Sequence, residues 1–318
     1  MAAAEGGDRT GKVVVTGAAG LVGQNLVPRL KERGFDIVAI DKHPANTRIL
    51  KELHPDIEVI EADIAEAGDW EAALAGAVSV VAGHAQIGGL DPEAFRRNNI
   101  TATGRLLAAA GKAGVSHLVQ ISSSVVNSAA VDFYTESKKE QESLALDSGI
   151  PCIVLRPTLM FGWFDRKHLG WLARFMARSP VFPVPGSGRY LRQPLYAGDF
   201  CSIIDASIAN RMAGAAYNIS GLAKIDYIDL VTALRTVLDL KTPIVRIPYG
   251  LFWAMLRAYA VFDRDPPFTT VQLEALVTPD VFEVIDWPAI FGVKPTPLEE
   301  ALKRTYRDPR YAGIALEF

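Results

Sequence analysis

The chain of 318 residues lacks the features that mark several simple functional classes. It has only two cysteines, Cys152 and Cys201, too few for a disulfide scaffold, and neither lies in a CxxC or Cys/His cluster. No metal site is therefore predicted, and a cytoplasmic protein is the default interpretation. The 33 Lys and Arg residues nearly balance 36 Asp and Glu, giving a formal net charge of −3. Without a basic excess, no nucleic-acid partner is expected.

Long apolar runs are also absent. The most apolar stretch, residues 247–262, contains Pro248, Gly250 and Arg257 and is shorter than the ~20 residues that span a bilayer. It predicts a helix of the core or of a lobe in preference to a membrane-surface helix. Residues 1–11 lack the apolar centre of an export signal, so we expect a short flexible leader there and no integral membrane segment.

The first half of the chain alternates β-branched runs with helical patterns. Strands are predicted at 12–16, 36–40, 57–60, 78–82, 117–121 and 152–155, and helices at 21–33, 99–113 and 134–148. Strands that alternate with helices form βαβ units and therefore a parallel sheet. The prediction is an α/β protein with a Rossmann-type doubly wound sheet.

The pattern loosens after Arg156, where prolines and glycines crowd the sequence. We therefore predict an NAD-binding Rossmann domain at 12–156. A smaller, mainly substrate-binding lobe follows at 157–318. A strand pattern at 215–220 indicates that elements of the Rossmann domain return within the lobe.

The segment TGAAGLVG lies between the first predicted strand and the first helix. In such a loop Gly17 allows the tight turn, Gly20 lets a pyrophosphate approach bare backbone, and Gly23 lets the helix pack against the strand. The helix begins with Leu21 and Val22, whose end of the helix dipole favours phosphate. The spacing predicts a dinucleotide site.

Acidic residues follow the next two predicted strands. Asp41 ends the second strand, where a carboxylate bonds ribose hydroxyls and repels a 2′-phosphate, so NAD is favoured over NADP. Lys42 and His43 come next and could accommodate a phosphate, which keeps NADP as the less favoured alternative. Asp63 and Ile64 follow the third strand, where an adenine edge would be met; an ordinary strand-end acid is the competing interpretation.

A YxxxK pair begins the helix predicted at 134–148. Tyr134 and Lys138 lie four residues apart and thus on one helix face. An ammonium beside a tyrosine hydroxyl lowers the pKa of the tyrosine, which suits it to acid/base catalysis. A run of three serines, 122–124, closes the fifth strand, from which a hydroxyl could reach the same substrate oxygen.

Together these motifs resemble the extended short-chain dehydrogenase/reductase family, which includes nucleotide-sugar epimerases and dehydratases. The resemblance covers most of the chain and thins after about Asp239. The matching segments are TGAAGLVG, Asp41, Asp63-Ile64, VVAGHAQ at 80–86, NNITATGRLL from Asn98, the serine run, YTESK at 134–138 and LRPT at 155–158, with PVPGSGRYLRQPLYAGDF at 183–200 and YNISG at 217–221 as suggestive ones.

The resemblance implies three catalytic roles. Tyr134 would be the acid/base on the substrate hydroxyl, and Lys138 would bind the nicotinamide ribose and depress the pKa of Tyr134. Ser124, the third serine of the run, would hydrogen-bond the reacting oxygen.

The resemblance also implies contacts with cofactor and substrate. Further residues that would line the cofactor are Ala82, Gly83, His84, Asn99 and Pro157. In the substrate lobe, Arg192 would clamp a diphosphate, and Tyr196 stands where relatives commonly show histidine. Ordinary alternatives are a solvated loop cation for Arg192, a helix N-cap for Asn99 and a structural histidine for His84.

Three functions remain as predictions. The first is an NAD-dependent nucleotide-sugar epimerase of the 4-epimerase type with retained NAD, acting as a homodimer through the helices at 99–113 and 134–148. Val125 and Val126 replace the Asp-Glu pair of a 4,6-dehydratase, which argues against dehydration. The alternative is an NAD(P)-dependent dehydrogenase or reductase of a less polar alcohol or carbonyl. A non-enzymatic nicotinamide sensor is disfavoured because Tyr134 and Lys138 are both kept.

Overall fold

The computed structural model describes residues 11–129, 131–262, 269–278 and 281–317. The predicted leader at 1–11 lies outside the described residues except for Gly11. The strands are β1 Lys12–Thr16, β2 Asp36–Asp41, β3 Glu58–Glu61, β4 Ala77–Ala82, β5 Leu118–Ile121, β6 Cys152–Pro157, β7 Met160–Phe161, β8 Phe182–Pro185, β9 Leu191–Arg192, β10 Leu195–Tyr196, β11 Ala215–Ile219, β12 Ile225–Asp226 and β13 Ile244–Ile247.

The α-helices of the described residues flank these strands. They are α1 Leu21–Glu32, α2 Pro44–Leu53, α3 Pro92–Phe95, α4 Ala102–Lys112, α5 Phe133–Leu146, α6 Leu169–Arg178, α7 Ala197–Ala209, α8 Tyr227–Val237, α9 Tyr249–Phe262, α10 Thr270–Val277, α11 Trp287–Phe291 and α12 Leu298–Arg307. Short 3₁₀ turns lie at Asp69–Leu74 and Ser124–Asn127.

A seven-stranded sheet in the order β11-β6-β5-β4-β1-β2-β3 forms the centre of the molecule, and every neighbouring pair in it is parallel. β1 lies between β2 and β4, so the chain reverses its direction of winding there. The carboxyl ends of parallel strands meet at one edge of such a sheet, where ligands bind at the reversal point. The Rossmann-type α/β prediction is confirmed.

Both faces of this sheet are covered at its centre, which explains why the central strand β1 has three consecutive valines. Val13 and Val15 of β1 join a core with α1 and α7 on one face. Val14, between them, joins a second core with α4 on the other face. Successive strand residues point to opposite faces, so a strand buried on both sides shows no polar alternation.

One predicted helix is divided in the structure. The pattern at 99–113 predicts a single helix, but α3 is followed by a π-helical turn, Arg96–Thr101, and only then by α4. π-helical turns within helices occur frequently at functional sites. Asn99, inside this turn, holds two other elements by its side chain, as described below.

The C-terminal part combines a lobe with elements that return to the sheet. β11 pairs with β6, and α7 packs along α1. The pairs β7–β10, β9–β12 and β8–β13 form separate two-stranded sheets.

The apolar stretch at 247–262 forms the last residue of β13 and α9, so of the two predicted placements, core or lobe, it is a helix of the lobe. Most of α9 is exposed, including Leu251 and Met255. Within the residues that the structure describes, no helix is both long and apolar enough to cross a membrane.

Candidate active site

The glycine loop after β1 packs against the loop after β4. Gly17 has a φ of +65°, and a Cβ there would lie 2.6 Å from the carbonyl oxygen of Gly83. A Cβ on Gly23 would lie 2.4 Å from Ala18 Cα. These two positions therefore require glycine, one for the contact between loops and one for the contact of α1 with its own loop.

The start of α1 fits a dinucleotide phosphate. Gly20 is its N-cap, with no side-chain cap and no acidic residue in the first turn. The N–H groups of Leu21 and Val22 have no acceptor within the helix, and the positive end of the helix dipole lies there. A cap or a carboxylate at this position would compete with an anion, and neither is found.

Asp41 is held at the end of β2 by two backbone groups. Its Oδ2 accepts from Ala19 N at 2.9 Å, and its Oδ1 accepts from His43 N at 3.0 Å. Lys42 Nζ donates to Asn98 Oδ1 at 2.6 Å and lies 3.7 Å from Asp63 Oδ2. The carboxylate is thus fixed beside the glycine loop, and the cation that follows it already has polar partners.

Asp63 and Ile64 differ in what they expose. Asp63 accepts from Ala65 N at 3.0 Å and from Arg97 Nη2 at 2.9 Å. Partial burial raises the pKa of Asp63, but the Ala65 N–H and the cations Lys42 and Arg97 outweigh it and hold the pKa below its usual value. Ile64 is buried in the sheet core, so its side chain belongs to the packing beneath the predicted adenine position.

Tyr134 lies in the first turn of α5. The helix starts there because Asp132 caps it, accepting from Thr135 N at 2.9 Å. The Tyr134 ring lies 6.5 Å from the ring of Phe95. Its hydroxyl hydrogen-bonds Ser123. The YxxxK prediction thus locates a half-buried tyrosine hydroxyl at the carboxyl edge of the sheet.

The role predicted for Ser124, a hydrogen bond to the reacting oxygen of the substrate, stays a prediction. Of the three serines, Ser123 is the one that hydrogen-bonds the Tyr134 hydroxyl. The reason is local: the chain leaves β5 in an extended conformation at Ser123, which also caps a 3₁₀ turn that begins at Ser124. The turn directs consecutive side chains differently, which the order of three identical residues does not reveal.

The pKa of Tyr134 is raised in this structure. Burial is the largest cause, and the hydrogen bond from Ser123 acts in the opposite direction. Lys138 does not appear among these influences, so the lowering effect predicted for it is not found in the chain alone. That effect remains a prediction for the cofactor-bound enzyme.

Lys138 is fully buried beneath the site. Its Nζ donates to Ile121 O at 2.9 Å and to Gln141 Oε1. Burial lowers the pKa of Lys138 to about 7, and Glu142 opposes the shift. The lysine therefore titrates close to neutral pH, unlike an exposed ammonium.

Gln141 connects Lys138 to a chain of buried polar groups. Gln141 Nε2 donates to Thr103 Oγ1 at 2.9 Å, and Thr103 Oγ1 hydrogen-bonds His84 Nε2 at 2.9 Å. His84 Nδ1 in turn hydrogen-bonds Thr16 Oγ1 at 2.8 Å. We call Thr16, His84, Thr103, Gln141 and Lys138 the buried network. It joins the end of β1 to the catalytic helix.

His84 is a member of this network and not a titrating base. Burial lowers its pKa to about 3, and Lys138 and Lys42 act in the same direction. Both ring nitrogens have protein partners. A structural role for His84 therefore fits the geometry better than contact between its ring and the cofactor.

Asn99 also holds a position other than the predicted one. Its side chain is fully buried; Oδ1 accepts from Gln86 N at 2.6 Å, and Nδ2 donates to Ser137 Oγ at 2.8 Å. Asn99 therefore braces the loop after β4 against α5. It neither caps a helix nor exposes its amide to a cofactor.

The two residues predicted to contact substrate are engaged within the lobe. Arg192 Nη1 donates to Thr278 O at 2.8 Å, and its guanidinium lies 5.3 Å from the centre of the Tyr190 ring. Tyr196 is buried, its ring 5.6 Å from that of Phe161, and burial raises its pKa to about 12. Tyr196 is thus a core residue, which corrects its predicted substrate role.

Apolar side chains are exposed on the loops that follow β4, β5 and β6 and on the first residue of α5, at the edge that carries Tyr134. These side chains are Ile87, Leu90, Val131, Phe133 and Leu159, of which Leu90 and Val131 are 94% and 88% exposed. Pro157, predicted to lie near the carboxamide, ends β6 two residues before Leu159. We call the five exposed residues Ile87, Leu90, Val131, Phe133 and Leu159 the apolar rim.

Sequence reasoning did not single out Ser123, Gln141 or Thr103. A signal existed for Gln141, which lies three residues after Lys138 and therefore on the same face of α5. Thr103 belongs to a segment identified only by resemblance, and its partners His84 and Gln141 come from two other segments, the loop after β4 and helix α5. Only the fold brings them together.

A Rossmann-type sheet with a glycine loop, a strand-end carboxylate and a Ser/Tyr/Lys set defines an NAD-dependent enzyme of the extended short-chain dehydrogenase/reductase type. The sequence profile of the NAD dependent epimerase/dehydratase family matches residues 13–220. The chain belongs to this family.

The individual proteins similar to this chain are relatives in sequence and neighbours in fold. The chain is 24% identical to the decarboxylating sterol-4-alpha-carboxylate 3-dehydrogenase of Mus musculus, over 92% of this chain and 90% of the relative. It is 25% identical to the 2-alkyl-3-oxoalkanoate reductase of Stenotrophomonas maltophilia, over 92% and 98%. In fold it is similar to a UDP-glucuronic acid 4-epimerase from Bacillus cereus in complex with NAD, with a TM-score of 0.73, 20% identity and coverage of 93% and 97%.

Proposed function

We propose that the protein is an NAD-dependent dehydrogenase or reductase that interconverts a secondary alcohol and a ketone on a largely apolar molecule. The apolar rim carries this proposal. Five exposed apolar side chains on the loops around Tyr134 would cost solvation free energy unless they cover an apolar ligand. The names of the sterol dehydrogenase and the oxoalkanoate reductase, both similar over nine-tenths of the chain, are consistent with such a substrate.

The residues at the site suit proton transfer to and from one oxygen. Bound NAD supplies the hydride acceptor. Tyr134 would take the proton of the substrate hydroxyl. Ser123, which hydrogen-bonds the Tyr134 hydroxyl, would also hydrogen-bond the substrate oxygen. Lys138, charged at or below neutral pH, would stabilise the tyrosinate and bind ribose hydroxyls. Val125 and Val126 offer no second acid or base, which suits a simple redox step.

NAD is the proposed cofactor in preference to NADP. A 2′-phosphate near Asp41 would meet a fixed carboxylate. Of the two residues that could compensate, Lys42 bonds Asn98 and lies near Asp63, and His43 accepts from Asn46 N as the cap of α2. Both residues are therefore already engaged, and neither is positioned to bind a 2′-phosphate and offset its repulsion by Asp41.

The competing function is the predicted nucleotide-sugar 4-epimerase. It draws support from the fold, which follows the 4-epimerase over nearly its full length. The contacts of Arg192 and the burial of Tyr196 weaken it, because the predicted diphosphate clamp is engaged elsewhere. A homodimer through α4 and α5 is proposed for either function, to be measured by light scattering.

One experiment separates the two functions. The purified protein is assayed for bound cofactor, then for NADH formation or consumption with 3-hydroxysteroids, β-keto acyl substrates and their reduced forms, and in parallel with UDP-sugars. We expect that NADH is formed or consumed in proportion to the apolar substrate converted, and that bound NAD exchanges with free NAD in solution. Epimerisation of a UDP-sugar by retained NAD, with no net redox change on any apolar substrate, would refute the proposal.

A further inference from the structure

Helix α9 is apolar on the side that faces away from the rest of the lobe. The helix packs along α10, which contributes Leu276 and Val277 to a lobe core. Phe252 and Leu256, one turn apart, are its half-buried residues. The opposite face, at spacing i, i+3, i+4 and i+7, consists of Leu251, Ala254, Met255 and Ala258, and all four are exposed.

This arrangement departs from an ordinary surface helix. A helix on a protein surface presents a polar or charged face to water, whereas a helix apolar all round is normally buried. Leu251 and Met255 are 55% and 53% exposed. The surface formed by Leu251, Ala254, Met255 and Ala258, which we call the α9 face, is therefore expected to have a binding partner.

The charges around the α9 face identify the chemistry of that partner. Between Leu240 and Phe262 the sequence has three cations, Lys241, Arg246 and Arg257, and no acid, although the whole chain carries a net charge of −3. All three cations are exposed. An apolar strip bordered by cations matches an anionic lipid surface, where acyl chains meet negative headgroups.

A second copy of the chain fits this surface less well. A symmetric dimer places the same patch on both subunits, so Arg246 and Arg257 would approach their own copies without an intervening acid from this segment. Trp253 lies beside Arg257, whose guanidinium is 5.5 Å from the indole centre. Tryptophan and arginine are residues that settle at the boundary between headgroups and acyl chains.

We propose that α9 docks the enzyme on the surface of an anionic membrane. At 14 residues and roughly 1.5 Å per residue the helix is about 21 Å long, which suits a helix lying in the interface. The α9 face enters the headgroup boundary, and Arg246 and Arg257 contact the lipid phosphates. This inference does not depend on the proposed substrate, because it concerns adsorption and not turnover.

The test is sedimentation of the full-length chain with phosphatidylcholine vesicles, with and without phosphatidylserine, at low and high salt. Leu251→Glu combined with Met255→Glu alters the α9 face. The matched control, Val284→Glu combined with Ile290→Glu, places two glutamates at apolar residues exposed to a similar extent, 42% and 40%, just before α11 and on it. Light scattering without vesicles records the oligomeric state of each protein.

We expect the wild-type chain and the control to bind phosphatidylserine vesicles and to detach at high salt, while the α9 variant loses binding by about tenfold or more. Arg246→Gln with Arg257→Gln should lose binding by a similar factor, since each surface cation contributes to lipid attraction. Absence of wild-type binding, equal binding by the α9 variant, or a wild-type dimer that the α9 variant splits into monomers would overturn the proposal. The last outcome would identify a protein interface.

Discussion

In the first half of the chain a lysine, a glutamine and two threonines are buried together beside a half-buried histidine, whereas the second half leaves an apolar helix in contact with solvent. The buried network is closed, since each of its members has polar partners within the protein. The α9 face is open, in the sense that its apolar side chains are exposed to solvent. Polar groups in a low-dielectric interior interact strongly and hold one geometry.

The difference separates two tasks. The closed half fixes the position and charge of catalytic groups, which any substrate of this chemistry requires. In the proposed function the apolar rim selects the substrate that reaches those groups, and the proposed role of the α9 face is to bring the enzyme to a membrane surface. Four substitutions test this division.

Tyr134→Phe should have the largest effect, a loss of about 10²–10⁴-fold in kcat, because proton transfer through the hydroxyl is removed. NAD binding, followed by calorimetry, should be retained since the ring keeps its packing on Phe95. Tyr217→Phe serves as the control: that ring packs on Phe291 and has no assigned chemistry. Turnover by Tyr134→Phe at the wild-type rate would remove the tyrosine from the mechanism.

Asp41→Ala should raise the KM for NAD by roughly tenfold to a hundredfold, because hydrogen bonds to a charged group are lost and the glycine loop loses its contact at Ala19. The preference for NAD over NADP should shrink as well. Asp36→Ala, at the exposed opposite end of β2, should leave both quantities unchanged. An unaltered NAD to NADP ratio in Asp41→Ala would contradict the assignment.

Gln141→Leu should lower kcat by about tenfold and change its pH dependence. Burial already lowers the pKa of Lys138 to about 7. Removing an acceptor that favours the charged ammonium should lower that pKa further. Turnover that needs charged Lys138 should then decline at a lower pH than in the wild type, as a pH profile of kcat would record.

Gln24→Leu is the control for this prediction. Gln24 is equally buried, and its amide donates to Asn46 O at 3.3 Å, away from Lys138. It should lower stability without moving the pH profile. Equal shifts in both variants would mean that Gln141 acts only through folding.

Arg192→Ala should have the smallest effect, less than about threefold in kcat/KM on an apolar substrate, because exposed charges bound to the protein surface contribute little. Arg189→Ala, a neighbouring arginine bonded to Asp226 and Asp229, gives the reference value. A loss of roughly a hundredfold specific to Arg192→Ala would indicate a diphosphate clamp and favour the epimerase.

The same division explains what could be predicted from the sequence. The bounds of β1 match the predicted strand, and the predicted start of the catalytic helix is one residue from the observed one, because apolar runs and caps act locally. Which serine of the run hydrogen-bonds Tyr134 could not be predicted, since a 3₁₀ turn and the packing of α5 choose between adjacent hydroxyls. No periodicity carries that information.

Positions that depend on distant contacts were the ones missed. Tyr196 was assigned to the substrate by resemblance, but it is buried, with its ring 5.6 Å from that of Phe161. Asn99 reads as a helix cap, but its partners Gln86 and Ser137 arrive from other segments. The apolar stretch containing α9 was predicted for the core or the lobe, because composition alone cannot show whether the fold leaves room for it in the core.

The order of strands along the chain bears on how the protein is made. Six of the seven central strands precede residue 158, while β11 follows the lobe helix α6 and the sheet-covering helix α7. During synthesis the edge of β6 therefore stays unpaired until β11 has been made. The sheet face that carries Val13 and Val15 likewise stays uncovered until α7 has been made. Open strand edges recruit other chains. The nascent enzyme thus passes through a stage in which its catalytic tyrosine and lysine have been synthesised but the sheet edge beside them is unprotected, and chaperone binding is most valuable at that stage.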